Sequence, residues 1–483
     1  MTDAALQLTV LGLYLLVLVG IGAYTFGRSG RDPVSYFLAS RGLGTLVLVF
    51  TLLATLMSAF TFLGVPADAY THGLGIFLGV GVTDAFLSAL FLAFGYRLWR
   101  AGKRFDFVTP SEFFSHRFQS PFLGLLYALC ALGFTAPYIS IQIIGGGRAL
   151  EVLTGGAVAY LPAAVIMALI ITLYVLVGGM RAVAWTDTLQ GLIMLAGMGL
   201  AFVLIALNAP GETAALEPWL RLPGPTGRWS ARGLVGYQLL IFMAVPLFPQ
   251  IFQRFFAAKN ADVFKKMMVV WPPLVLALFF PAALIGVWGR AVFPALEQAD
   301  QVMPLMLSTF LPPVAAAVVL TAAIAALMST ADSQLLTSSA LVTRDLYARL
   351  LRRDLTPDRE AYVGRVTVVV LAVASFAIAV NPPGVIVEIA TWSFQGSAMF
   401  FPLLVAGLYW PRCTTAGAVA GTVVSVGLTL GWLTGLLPLA WTFGWIPVVP
   451  AVVLGGAVLV AVSLLTQPNL KRSAAYAELW GGR

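Results

Sequence analysis

Charge, histidine and cysteine are scarce in this chain: of 483 residues only 10% are charged, two are His and two are Cys, while 60% are hydrophobic. A soluble domain carries about a quarter charged residues, so the composition excludes an ordinary soluble protein. Cys130 and Cys413 sit in separate apolar surroundings without metal-type spacing, which argues against a disulfide framework. His72 and His116 fall in loops on opposite sides, where neither resembles a metal ligand or a buried proton relay. No GxxxxGK[ST] phosphate loop is present, so ATP-driven transport has no support. A catalytic triad, a cysteine nucleophile and paired hydrolase carboxylates are also missing, and no enzyme is expected. The formal net charge of +8 is explained by where the charges lie rather than by nucleic acid.

Long apolar runs are what the chain has instead. About 20 apolar residues cross a bilayer. Such runs predict thirteen spans, at 6–26, 43–70, 74–98, 120–150, 156–178, 184–208, 232–256, 266–290, 313–347, 361–380, 384–410, 414–436 and 445–467. An all-α integral membrane protein is expected, a single transmembrane transporter domain over 1–483 in the cell inner (plasma) membrane. With the N-terminus outside, all but five of the 28 Lys and Arg lie on the cytoplasmic side; Arg148, Arg221, Arg228, Arg232 and Arg290 lie outside or near outer span ends. The positive-inside rule then makes the C-terminus cytoplasmic. The first run follows "MTDAA", without a basic leader or a small-residue cleavage site, and is expected to be retained as a span. The longest outer connection, "NAPGETAALEPWLRLPGPTGRWSARG", is expected to be irregular. The stretch "VMPLMLSTFLPP" is too short to cross and reads as an outer hairpin helix or re-entrant piece.

Two spans are interrupted. The second loses its apolar pattern between Ser58 and Asp68, at Ser58, Thr61, Gly64, Pro66 and Asp68, and the seventh carries Pro246 and Pro249 in "MAVPLFPQIFQR". For each alone an ordinary proline kink is the alternative reading. Four spans separate them, however, which makes them first helices of two five-span halves at 43–208 and 232–410, with an extra helix at 6–26 and two more at 414–467. Freed backbone groups are tolerated at membrane depth only where they line a cavity, and paired interruptions of this kind mark inverted-repeat secondary transporters with a midplane site.

The ninth span contains "ALMSTADSQLLTSSA", residues 326–340. On a helix Ser329 and Ser333 share a face, Thr330 is alongside and Asp332 is one turn from Ser329. A lone hydroxyl in a span usually bonds the i−4 carbonyl or glues two helices. A cluster that includes an intramembrane acid is instead a functional hypothesis. Asp187, in "GGMRAVAWTDTLQGLIM", either joins that cluster or caps the sixth span. Hydroxyls with freed carbonyls form a weak oxygen cage suited to a monovalent hard cation, whereas calcium normally takes several carboxylates. Asp84, Gln142, Arg148 and Glu388 either face solute or pair with neighbours; Phe60, Phe62, Tyr138 and Trp392 either stack on solute or pack.

The chain resembles the sodium:solute symporters over essentially its full length. The resemblance rests on "YFLASRGLG", "LMSAFTFLGVPADAYTHGLG", "GGMRAVAWTDTLQG", "FQRFFAAKN", "ALMSTADSQLLTSSALVTRDLY" and "GLYWPRCTTAGAVAG", in that order. It implies a leucine-transporter-like fold of two inverted five-helix repeats. It also implies a sodium ion held by the carbonyls of Ala54, Met57 and Ala326 and the hydroxyls of Ser329 and Thr330. Some members bind a second sodium at positions equivalent to Asp187, Thr330, Asp332 and Ser333; here Asp332 stands where a hydroxyl is common, so a second ion or an exit path are the alternatives. Solute contacts are expected from Ser58, Phe60, Thr61, Tyr138, Gln142, Arg148, Trp392 and Gln395. "IFMAVPLF" and Thr61 differ from the polar pattern of sugar-carrying members. "QIIGGGRALE" is similar to pantothenate permeases and "APYISIQ" to monocarboxylate permeases, so an organic acid is expected, with Arg148 as its carboxylate partner. The alternatives are a proline-like amino-acid symporter, a sugar symporter, a solute sensor and a passive channel. The tail "NLKRSAAYAELWGGR" is too short for a signalling domain, and the protein is expected to act as a monomer, with no nucleic-acid partner.

Overall fold

The computed structural model describes residues 3–26, 33–176, 179–208, 216–350, 356–468, 474–476 and 479. Arg28, Arg31, Arg352, Arg353, Lys471, Arg472 and Arg483, counted above among the cytoplasmic basic residues, lie outside the described residues. Every expected span coincides with helix. In chain order these are α1 (Asp3–Phe26), α2 (Thr45–Leu56), α3 (Phe60–His72), α4 (Phe77–Phe105), α5 (Pro121–Leu153), α6 (Tyr160–Val175) and α7 (Met180–Asn208). Then follow α8 (Ala231–Leu247), α9 (Pro249–Ala257), α10 (Asp262–Val292), α11 (Val302–Phe310), α12 (Pro313–Ala348), α13 (Pro357–Val380), α14 (Ile386–Tyr409), α15 (Thr415–Leu433) and α16 (Val448–Leu465).

Nine of the described helices are long and apolar enough to cross a membrane, and the bent pairs α2/α3 and α8/α9 bring this to eleven. The other two expected spans hold the shorter apolar stretches Thr9–Ile21 and Tyr160–Leu173. Helix α11 is the short element anticipated before the ninth span. The long connection holds one short helix, Glu217–Leu220, among its described residues.

Helix α12 lies at the centre. Every residue from Val319 to Ala340 is buried, so its hydroxyls and its acid face protein on all sides rather than lipid. Small residues let the surrounding helices come this close. A Cβ on Gly145 of α5 would meet Leu63, Ala59 and Leu327, and one on Gly286 of α10 would lie 2.2 Å from the Pro66 carbonyl oxygen. The glycines of "QIIGGGRALE" are thus used in packing, Gly146 against Met167 and Gly147 against Tyr160. Outside this core, α1 docks on α7 where Gln190 Nε2 donates to Tyr14 Oη at 2.8 Å. Helices α15 and α16 pack together through Gly417, Gly421 and Gly455.

Candidate ion and solute site

The chain bends by 56° between α2 and α3. The interruption falls at the start of the range the sequence indicated, at Met57 and Ser58: Met57 is extended (φ −77°, ψ 110°), while Gly64 and Pro66 sit inside continuous helix. Pro66 is accommodated because a widened π turn, Phe60–Gly64, precedes it. What holds the real break open is one tertiary and one local hydrogen bond. The Ala59 N–H donates to Gln142 Oε1 at 3.0 Å, and the Phe60 N–H donates to Ser58 Oγ at 3.1 Å. A second bend, of 50°, separates α8 from α9 at Phe248, between Pro246 and Pro249 as the sequence indicated.

Opposite the first bend stands α12. Ser329 Oγ donates to the Ala54 carbonyl at 2.7 Å and lies 3.0 Å from that of Ala326. Thr330 Oγ1 is 3.4 Å from the Ala54 carbonyl, 3.0 Å from that of Thr55 and 3.4 Å from that of Met57. The five oxygens named from the sequence therefore converge, with the Thr55 carbonyl as an unanticipated neighbour. All belong to buried residues and none is a carboxylate. Hydroxyls can turn their lone pairs inward, so the set fits a monovalent cation transported as substrate.

Beside it lies a charged cluster that the sequence disclosed only in part. Arg254, counted above among cytoplasmic basic residues, is fully buried on α9, and its Nη2 lies 3.0 Å from Asp187 Oδ2. Its guanidinium also donates to Thr51 Oγ1 at 2.9 Å, to the Gln250 carbonyl at 3.1 Å and to Ser333 Oγ at 2.5 Å. Asp187 further accepts from Thr51 at 2.5 Å, and Thr55 and Ser333 hydroxyls are 2.9 Å apart. Because α7 begins at Met180, Asp187 is two turns inside the helix and is not its cap. Both carboxylate oxygens of Asp332 are buried without a hydrogen-bond partner among the described residues. Thr51, Thr55 and Arg254 were missed for one reason: the pairing spans 67 or more residues and no local pattern encodes it.

On the α3 side of the first bend an aromatic group closes around Phe394. Its ring centroid is 5.4 Å from Phe60, 5.5 Å from Tyr138 and 5.3 Å from Phe248. Ser58, Thr61 and Gln142 are buried alongside, on α3 or α5 and the bend itself. Phe248 and Phe394 were not anticipated; the Pro246–Pro249 bracket was the available signal for the first. Three expected solute contacts are not brought here. Arg148 pairs with Glu151 at 3.3 Å and stacks over Tyr160, Gln395 Oε1 accepts from the Val448 N–H at 3.2 Å, and Trp392 is 41% exposed on the molecular surface.

Two further sets of polar ties join the helices. In one, Thr109 donates to Asp345 Oδ2 at 2.8 Å, Arg344 pairs with Glu112 at 2.9 Å, and Thr337 donates to Gln253 Oε1 at 2.7 Å. In the other, at the 216–229 loop, Arg228 lies 3.2 Å from Asp68 Oδ1 and donates to Tyr237 Oη at 2.6 Å.

Two bent helices meeting a buried central helix, with neutral oxygens at one bend and aromatic rings at the other, define a membrane transporter that couples a cation to a solute. The model of the Sodium:solute symporter family matches residues 36–425, and the chain belongs to that family. The sodium/pantothenate symporter of Escherichia coli (strain K12) is 32% identical over 455 residues, covering 91% of this chain and 92% of its own. That of Haemophilus influenzae is 29% identical over 426 residues, covering 86% and 88%. The osmoregulated proline transporter of Bacillus subtilis (strain 168) is 29% identical over 477 residues, covering 96% and 95%. Among solved structures, a Na+-coupled sialic acid symporter in a substrate-bound outward-open state aligns with a TM-score of 0.80 at 20% identity, over 96% of this chain and 98% of that one. MhsT in complex with L-phenylalanine aligns with a TM-score of 0.52 at 15% identity, over 87% and 98%. At these identities the likeness is one of fold, the leucine-transporter-like fold. The protein is a multi-pass transporter of the plasma membrane.

Proposed function

We propose that the protein imports a small organic acid, pantothenate or a similar monocarboxylate, together with sodium by alternating access. One observation carries the sodium part: the carbonyls of Ala54, Met57 and Ala326 and the hydroxyls of Ser329 and Thr330 converge where α2 breaks against α12. An ion there would bridge two elements that move relative to each other, holding the outward-open state until solute permits closure. Asp187, Asp332 and Ser333 would form a second ion position or the exit path. The solute would lie against Phe60, Tyr138, Phe248 and Phe394, with Ser58, Thr61 and Gln142 as hydrogen-bonding partners. In this reading all thirteen helical segments are spans, the N-terminus is outside and the C-terminus cytoplasmic. Residues 43–208 and 232–410 are the inverted repeats, and the monomer is the working unit.

The pantothenate symporters among its relatives support the acid. A sodium-coupled proline symporter is the second reading, favoured by the proline transporter that aligns over 96% of the chain. Thermal stability of the purified protein across carboxylates, amino acids and sugars, each in sodium and in choline, separates them, because a ligand of the folded state raises the melting temperature. A carboxylate shift that needs sodium is expected. A shift indifferent to sodium removes the ion site, and a sodium-dependent proline shift replaces the solute.

A further inference from the structure

Asp84, on α4, is a buried acid with nothing to compensate its charge. A carboxylate inside a span is costly unless a cation or hydrogen-bond donors meet it, and an intramembrane acid left unmet is a functional residue by default. The other buried acids of the described residues each have a compensating group. Asp68, Glu112 and Asp187 pair with arginines. Asp300 accepts from the Ile386 N–H and Asp345 from the Thr109 hydroxyl, and Asp332 stands in the charged cluster within reach of Arg254. Asp84 is 7% exposed, its Oδ1 is buried without a hydrogen-bond partner, and neither oxygen forms an ion pair among the described residues.

Its surroundings are those of the aromatic group. The Tyr138 hydroxyl, on α5, meets the Ser58 side chain at the first bend and lies within reach of the charge on Asp84. The ring of the same Tyr138 packs on both Phe248 and Phe394. The backbone at this point is fixed without use of the carboxylate, because Trp271 Nε1 of α10 donates to the Asp84 carbonyl at 2.8 Å. The sequence left two roles for Asp84, facing solute or pairing with a neighbour, and the described residues supply no neighbour that pairs with it.

Resting on the organic-acid reading of the site, we infer that Asp84 is a solute-binding residue that accepts hydrogen bonds from the hydroxyl end of the solute. Two carboxylates repel, so the solute's own carboxylate lies at the end away from Asp84 and a donor group lies toward it. An acid with hydroxyls at the end opposite its carboxylate, as in pantothenate, supplies such donors. An unsubstituted monocarboxylate supplies none and leaves Asp84 buried and unmet. The contact therefore narrows the solute class by penalty, since a site built to bond a hydroxyl rejects the analogue that lacks it.

The test is sodium-driven uptake into proteoliposomes of pantothenate and of its di-O-methyl ether, which has lost both hydroxyl protons, by wild type, D84A and D84N. In wild type the KM of the ether is expected to exceed that of pantothenate on the order of 10- to 100-fold, from loss of hydrogen bonds to a charged group. In D84A the pantothenate KM should rise by a similar factor while that of the ether does not rise, so the two changes are not additive. D84N keeps an acceptor oxygen without the charge and should fall between; it carries the same comparison if D84A does not fold. The sodium-induced melting shift of each variant should equal that of wild type, which certifies its fold. Equal KM values for the two compounds in wild type, equal rises for both in D84A, or no rise for either, overturn the role of Asp84 while leaving the solute reading intact. If wild type carries proline and neither pantothenate nor its ether, the organic-acid reading falls and the hydroxyl contact falls with it.

Discussion

The two helix bends share a shape and differ in chemistry. At the first, Met57 turns the chain, and the carbonyls around it meet hydroxyls of α12, leaving neutral oxygens at one point. At the second, Phe248 turns it between two prolines, which have no N–H to satisfy, and the Leu247 carbonyl is taken by the Tyr127 hydroxyl at 2.7 Å. The first bend therefore presents polar atoms to the interior, and the second presents a ring to Tyr138 and Phe394. A broken helix supplies an opportunity; the facing residues decide whether it becomes an ion site or an apolar wall.

The comparison breaks most visibly if both hydroxyls at the first bend are removed. In Ser329→Ala/Thr330→Ala the sodium concentration for half-maximal uptake is expected to rise roughly 100-fold or more, since each oxygen bonded to a charge contributes on the order of 1.5–3 kcal/mol. Unchanged sodium dependence would detach the ion from this bend. In the charged cluster beside it the effect on stability comes first: Arg254→Ala leaves Asp187 as an uncompensated buried charge, at a cost of about 3–5 kcal/mol in thermal or denaturant unfolding. Adding Asp187→Asn should recover part of the loss. At the second bend, Tyr127→Phe strands the Leu247 carbonyl and should destabilise by about 1–3 kcal/mol without altering sodium affinity. A sodium effect of Y127F would mean that the two bends are coupled.

The smallest effect concerns Asp300, in the connection between α10 and α11, which accepts from the Ile386 N–H at 3.3 Å and so ties the start of α14. Burial pushes its carboxyl up to about 7, against the smaller opposing effects of that N–H and of Arg148. A folded-state value above the unfolded one means that stability is full below the unfolded value and is lost as the pH rises through about 7. Melting followed from about pH 6 to about pH 8 should decline by about 1 kcal/mol, and Asp300→Asn should flatten the profile. Neither bend contains this group, so its sodium affinity should not drift in parallel.

Composition and run length were enough to identify a membrane chain and to place all thirteen helical segments, because exclusion of charge from lipid is written residue by residue. The oxygen cluster of 326–340 was legible for the same reason: polar groups in an apolar run announce themselves. Local chemistry also located the second bend, since Pro246 and Pro249 act on their own backbone. It drew the first too long, since Ser58 is in the break but Gly64 and Pro66 stand within helix, and the turn at Met57 is stabilised by Gln142, Ser329 and Thr330 from elsewhere in the chain. Arg254 read as one more basic residue at a span end; Arg148 read either as a solute contact or as a partner of its neighbours, and it pairs with Glu151 three residues on. Only the tertiary structure buried Arg254 against Asp187. Burial in the bilayer is a property of single residues and their neighbours in sequence, whereas an ion pair or a propped bend requires two distant segments to meet, and that meeting is decided by the packing of the whole bundle.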